Sequence, residues 1–227
     1  FNREPDGSAY FEAPVECEIY FQALDEDGRA LQSMRSGTYV HPGEQMSCVG
    51  CHEDKWKPST SLQMPVALRR PPSKLEPEVG GLEPVNYYRL AKPILDAKCL
   101  GCHREENAPL TSSDYEALEP YAFYFHASGG AGHVGARASL MGQVLYDERH
   151  RQYLAEGRFT EDDRRRITLW LDLNSLELGS SSLAPADQAL QRAGGIVWPK
   201  LDFESATTGI AGGMRKAPKR GRVGVKR

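Results

Sequence analysis

The chain has 227 residues, 40% of them hydrophobic, and a net charge of −3, which allows one large domain or two small ones around a buried core. No stretch approaches the ~18–20 uninterrupted apolar residues of a membrane-spanning helix. Seven Lys or Arg and no acid fall between Met214 and Arg227, which leaves −10 on the rest once those seven are subtracted from −3.

Residues 8–47 read as β structure. Ser8 to Ala13 and Cys17 to Leu24 carry aromatic side chains, and the second run alternates apolar with polar over part of its length. Asp25-Glu26-Asp27-Gly28 then signals a turn, because Asp-Gly readily supplies positive φ, and Arg29 to Ser36 returns as the second arm of a hairpin. Thr38-Tyr39-Val40-His41 follows and is broken by Pro42-Gly43. So few strands make too small a sheet to stand alone. Cys17 reads as a small buried hydrophobe. The β run ends on Cys48-Val49-Gly50-Cys51-His52.

Residues 57–84 hold six prolines with Gly80-Gly81 among them, a composition that predicts a linker or extended strap. From Pro84 to Leu100 the residues Tyr87, Leu90, Ile94 and Leu95 fall at helical spacing, with Pro93 expected to kink or restart the helix. That helix leads into Cys99-Leu100-Gly101-Cys102-His103, a second copy of the first string. Residues 104–120 read as a polar loop with a short helical turn, the glycines from 129 to 132 as a break, and Ala138 to Tyr146 as a helix. The clearest helix starts at Thr160, with Glu161, Asp162 and Asp163 in its first turn, where the helix dipole favours acids. Ile167, Leu169, Trp170, Leu171 and Leu173 supply its apolar contacts. After Gly179 the chain reads as an extended segment, anchored at Ile196 to Pro199 and ending in the basic tail. Such a tail is a solvated extension suited to an acidic partner or anionic lipid.

The two C-x-x-C-H strings carry the chemistry. Two thiols three positions apart suit thioethers to the two vinyl groups of one porphyrin, and the adjacent His suits the iron beneath it, so each string is the attachment signature of c-type haem. A four-cysteine zinc site would usually separate its pairs by about 15–20 residues, far less than the spacing here, and gives no reason for a His after each pair. Thioredoxin-like redox chemistry needs one C-x-x-C in a βαβ context, which the sequence lacks. Cys48, Cys51, Cys99 and Cys102 therefore bind two haem c groups, with His52 and His103 as proximal ligands. For the distal side of the second haem the candidates are His150, His133, His126 and Met141, with His150 favoured. For the first they are His41, Met34 and Met46, with His41 favoured, since Pro42-Gly43 permits a tight reversal.

Several phrases resemble the hydrazine synthase alpha-subunit family and its cytochrome-like relatives. They are Tyr20-Phe21-Gln22-Ala23-Leu24-Asp25-Glu26-Asp27-Gly28, then Met34-Arg35-Ser36-Gly37-Thr38-Tyr39-Val40, then Pro42-Gly43-Glu44 leading to the first haem string and Glu53, and finally Leu169-Trp170-Leu171-Asp172-Leu173-Asn174. The resemblance spans residues 7–179. It implies a middle β-rich domain with one haem, followed by a cytochrome c-like domain with another. Longer members of that family carry a β-propeller upstream, which matches a chain expected to be a processed form or fragment of a longer one. The resemblance gives a Tyr four residues after the first haem-string His, where this chain has Trp56, an indole that cannot ligate iron.

The expected class is α+β: a β-rich domain over residues 1–56, a linker over 57–84, a cytochrome c-like domain over 85–179 and an extended segment over 180–227. The expected function is a dihaem electron carrier, exported to the periplasm or beyond. Its expected partners are redox proteins, including other cytochrome subunits or an upstream domain, and not nucleic acid. The alternatives are a haem enzyme with an open position on haem 1, and a haem-bearing subunit of a larger assembly.

Overall fold

The chain is described by a computed structural model that covers residues 4–15, 17–34, 36–48, 64–105, 110–124, 130–180 and 184–198. The core is helical. Asn86 opens α1 (Tyr87–Leu90), its side chain accepting the Arg89 N–H at 2.9 Å. The helix stops at Ala91 and restarts as α2 (Lys92–Ile94), with Pro93 in the first turn. There its missing N–H has no helical partner to lose. A π-helical turn over Leu95–Cys99 follows and runs directly into α3 (Leu100–Glu105). Tyr87, Leu90, Ala91, Ile94 and Leu95 are all buried, so one stripe faces inward across the break.

The opposing element is α8 (Glu161–Asp172). Its start is a capping box: Asp163 N–H donates to Thr160 Oγ1 and Asp163 Oδ2 accepts the Thr160 N–H. Trp170 is fully buried, packs against Tyr87 with ring centroids 5.1 Å apart and planes tilted by 47°, and donates Nε1–H to the Leu176 carbonyl at 2.9 Å. Burying apolar side chains of this size stabilises by roughly 1.5–3 kcal/mol each, so the contact of α1 with α8 sets the core. Around it lie α4 (Tyr115–Ala122), α5 (Gly135–Ala138), α6 (Leu140–Leu145) and α7 (Glu148–Ala155), with α9 (Pro185–Arg192) beyond. The helix expected near 138–146 is α6. Helix α7 lacks the apolar periodicity that would announce it, since it buries no residue. Helix α9 lies where the sequence predicts an extended segment, started by Pro185 and held by the Arg192–Glu177 ion pair.

The N-terminal part contains one antiparallel ribbon among the described residues, β1 (Gln22–Leu24) with β2 (Ala30–Ser33), and a bulge between Ala23 and Leu24. Its turn is the predicted one, with Gly28 at φ +76° and Asp25 Oδ1 accepting the N–H groups of Asp27 and Arg29. The strands are shorter than expected. An isolated Ile19–Thr38 bridge extends the ribbon, and Phe11 bridges to Ser73 of the strap. Within described residues 4–48 only Ala30 is a buried hydrophobe, and a ribbon that buries so little apolar surface has little to lengthen it.

The strap holds both parts. After a 3₁₀ turn at Val66–Arg69, the N–H of Val66 reaches Asp6 and that of Ala67 reaches Ser8. Further on, Glu78 pairs with Arg165 of α8, and Arg89 donates to the Gly80 carbonyl. The ribbon also docks on the helices through Asp172, the last residue of α8. Asp172 Oδ2 accepts the Ala30 N–H at 2.9 Å and Oδ1 the Ala136 N–H at 2.8 Å, while its carbonyl accepts from Gln22 Nε2. Gly135, at φ +52°, must be glycine here, because a Cβ would meet the Asp172 backbone. Asp25 and Arg137 add an ion pair across the same junction. No helix among the described residues is long and apolar enough to cross a membrane.

Candidate functional site

The π-helical turn ends on Cys99, and α3 carries Cys102 and His103 one turn on. All three line a cleft of about 220 Å³, many times the ~30 Å³ a water occupies. Ile94, Leu145, Phe159 and Ile167 form its apolar wall, and Lys98, Arg149 and Arg158 supply cations.

The far wall is α7. Asp147 caps this helix, Oδ1 accepting the His150 backbone N–H at 2.8 Å, and the same oxygen lies 3.0 Å from His150 Nδ1. The His150 ring therefore stands in the cleft opposite His103, with ring centroids 6.2 Å apart and planes at 39°. Two imidazoles on opposite faces of one metal ion would put their centroids about 6 Å apart, from metal–nitrogen bonds of ~2.0–2.1 Å and roughly 1.1 Å from nitrogen to ring centre. The separation is that of two imidazoles able to reach one metal ion, and both thiols line the same cleft. Tyr153 backs His150 edge-on at 6.0 Å, and Arg158 covers the Tyr153 ring at 4.2 Å while reaching Cys102 Sγ at 3.9 Å.

The electrostatics agree with that donor set. Burial, helped by Asp163 and Cys102, pushes the Cys99 thiol up to about 11. It stays a neutral thiol at neutral pH, unlike the acidic thiolates of disulfide exchange. Burial works to raise the Asp147 carboxyl, but hydrogen bonds from the His150 backbone and ring hold it below its usual range. Among the described residues no three His, Cys, Asp or Glu side chains converge to hold a metal ion, as a closed zinc site requires.

The other sequence candidates lie elsewhere. His133 is exposed in the loop that meets β2, where Gly132 N–H donates to the Leu31 carbonyl. Met141 packs against the helical core. Neither lines the cleft. Cys48 is exposed, and His41 is exposed with its ring 5.3 Å from Tyr39. Met46 Sδ accepts from Thr38 Oγ1, and the Met34 N–H donates to the Phe21 carbonyl. Cys51, His52, Trp56 and His126 lie outside the described residues. Sequence reasoning missed Asp147, Tyr153 and Arg158. For Asp147 a signal was present, an Asp three residues before the favoured His, which is N-cap spacing.

Residues 2–53 match the family model described as hydrazine synthase alpha subunit middle domain. The matched stretch holds the ribbon and the first haem string, while the cleft on the second string lies outside it. Comparison with curated proteins and with solved structures finds no match for this chain.

Proposed function

We propose that this chain is a dihaem c-type cytochrome that passes electrons between redox partners outside the cytoplasm. One haem c is held by Cys48, Cys51 and His52, with His41 as its second axial ligand. The other is held by Cys99, Cys102 and His103, with His150. The observation that carries the reading is the pair His103 and His150, with ring centroids 6.2 Å apart and planes tilted by 39°, in a cleft lined by both thiols. Bound haem supplies a reversible one-electron iron couple. The residues of the chain would do the rest: His103 and His150 would hold the iron, and Ile94, Leu145, Phe159 and Ile167 would supply an apolar wall for the ring. Such a site changes little in geometry on reduction, which suits transfer and denies substrate an open position.

The test is a visible spectrum of the holoprotein with and without carbon monoxide, after denaturation and acid-acetone extraction to count covalent haem. Two haems should stay attached, and haem 2 should be low-spin and unreactive. Replacing His150 by Ala should convert haem 2 to a high-spin, carbon monoxide-binding form. Pigment lost to the solvent, or carbon monoxide binding at haem 2 in the wild type, would refute the reading.

The family match over residues 2–53 favours a second reading, a haem enzyme related to hydrazine synthase with an open position on haem 1, working in a larger assembly. Turnover of hydrazine, hydroxylamine or peroxide by the holoprotein would select it.

A further inference from the structure

We propose that Asp147 is the positioning residue of the second haem site, fixing His150 as the Nδ1–H tautomer with its Nε2 lone pair presented to the cleft. The proposal rests on the dihaem reading above. An ionised carboxylate can only accept hydrogen bonds, so the contact of Asp147 Oδ1 with His150 Nδ1 at 3.0 Å requires the proton on Nδ1. That leaves Nε2 as the ring's free donor atom.

One oxygen performs two tasks. Asp147 Oδ1 also accepts the His150 backbone N–H at 2.8 Å, so the ring is tied to the first turn of its own helix. This matters because α7 buries no residue fully, and its packing on the core rests on Tyr153 and Leu154, not on His150. Behind the ring, Tyr153 stands edge-on at 6.0 Å and is itself gripped by Arg149, whose Nε donates to the Tyr153 hydroxyl at 2.7 Å, and by Arg158 over its face. The imidazole is thereby held in place before any iron reaches it. A carboxylate behind a ligating His raises its basicity and fixes its orientation.

Two variants of the full-length holoprotein separate capping from positioning. Ser caps a helix about as well as Asp, but its shorter side chain cannot keep both contacts, so Asp147→Ser should leave the denaturation midpoint unchanged. It should also let carbon monoxide bind at haem 2, where the wild type does not, because losing an outer-shell partner weakens a ligating His by about tenfold or more, and it should move that haem's reduction potential upward. Asp147→Asn keeps a neutral acceptor and should stay low-spin, with a smaller upward shift. If the wild type is low-spin and inert at haem 2 and Asp147→Ser is equally inert with the same potential, the positioning role is wrong while the dihaem reading stands. If the wild type already binds carbon monoxide at haem 2, both are wrong.

Discussion

Replacing Asp172 by Ala tests how the ribbon is coupled to the helical core. The substitution strands two donors, the N–H groups of Ala30 and Ala136, in residues that are both 0% exposed. A buried donor left without a partner costs about 1–3 kcal/mol, and relief of the carboxyl's own burial returns part of that, so the net loss should be about 2–4 kcal/mol. Urea denaturation followed by Trp fluorescence measures the total. Amide exchange locates it: a local loss of about 2 kcal/mol speeds exchange roughly 30-fold, at Ala30 and Ala136 but not at Ile167 within α8. Burial pushes the Asp172 carboxyl above its usual range, against hydrogen bonds from Ala136 and Ala30 that pull it down. A raised folded value means this group's stabilisation is complete below the unfolded value of ~3.9 and is lost as pH rises through the folded one. The wild type's advantage over Asp172→Ala should therefore be larger below the unfolded value of ~3.9 than at pH 8. A loss below ~0.5 kcal/mol, within the range of ordinary surface substitutions, or unchanged exchange at both amides, would refute the reasoning.

Asp25 should behave in the opposite sense. Burial raises its carboxyl, but the Arg29 N–H and the Arg137 and Arg29 guanidiniums outweigh it and hold the group below its usual range. Its stabilisation is then present above the unfolded value and lost as pH falls through the folded one. Asp25→Asn should flatten the acid limb of a stability–pH curve, and an unchanged limb would contradict the junction described here. At Gly142 in α6, a Cβ would run into the Ala136 carbonyl. Gly142→Ala should destabilise through about 1–3 kcal/mol of overpacking, more than the ~0.8–1.0 kcal/mol of helix propensity it regains. A raised melting temperature would show that α5 and α6 are less tightly crossed.

Local chemistry was legible in the sequence. The two C-x-x-C-H strings, the Asp25–Gly28 turn, the helix restart at Pro93 and the Thr160 cap each depend on residues within about four positions of one another, so pattern alone suffices to find them. Elements without a pattern of their own escaped: α7 is mostly polar, with only Tyr153 and Leu154 packed on the core, and the ribbon's strands fall short because they bury little apolar surface. Four residues on the second module were candidate ligands, His150, His133, His126 and Met141, with His150 favoured, and nothing in their spacing measures distance from His103. The tertiary structure decides that by packing α6 and α8 so that α7 crosses in front of α3, with Asp147 turning one imidazole inward and the loop at Gly132 carrying His133 away to β2. Asp172 shows the same division. Its place at the end of an amphipathic helix is written in the sequence. Its two partners, 142 and 36 residues away, meet it only because burial of Tyr87 against Trp170 brings those distant backbones to one carboxyl.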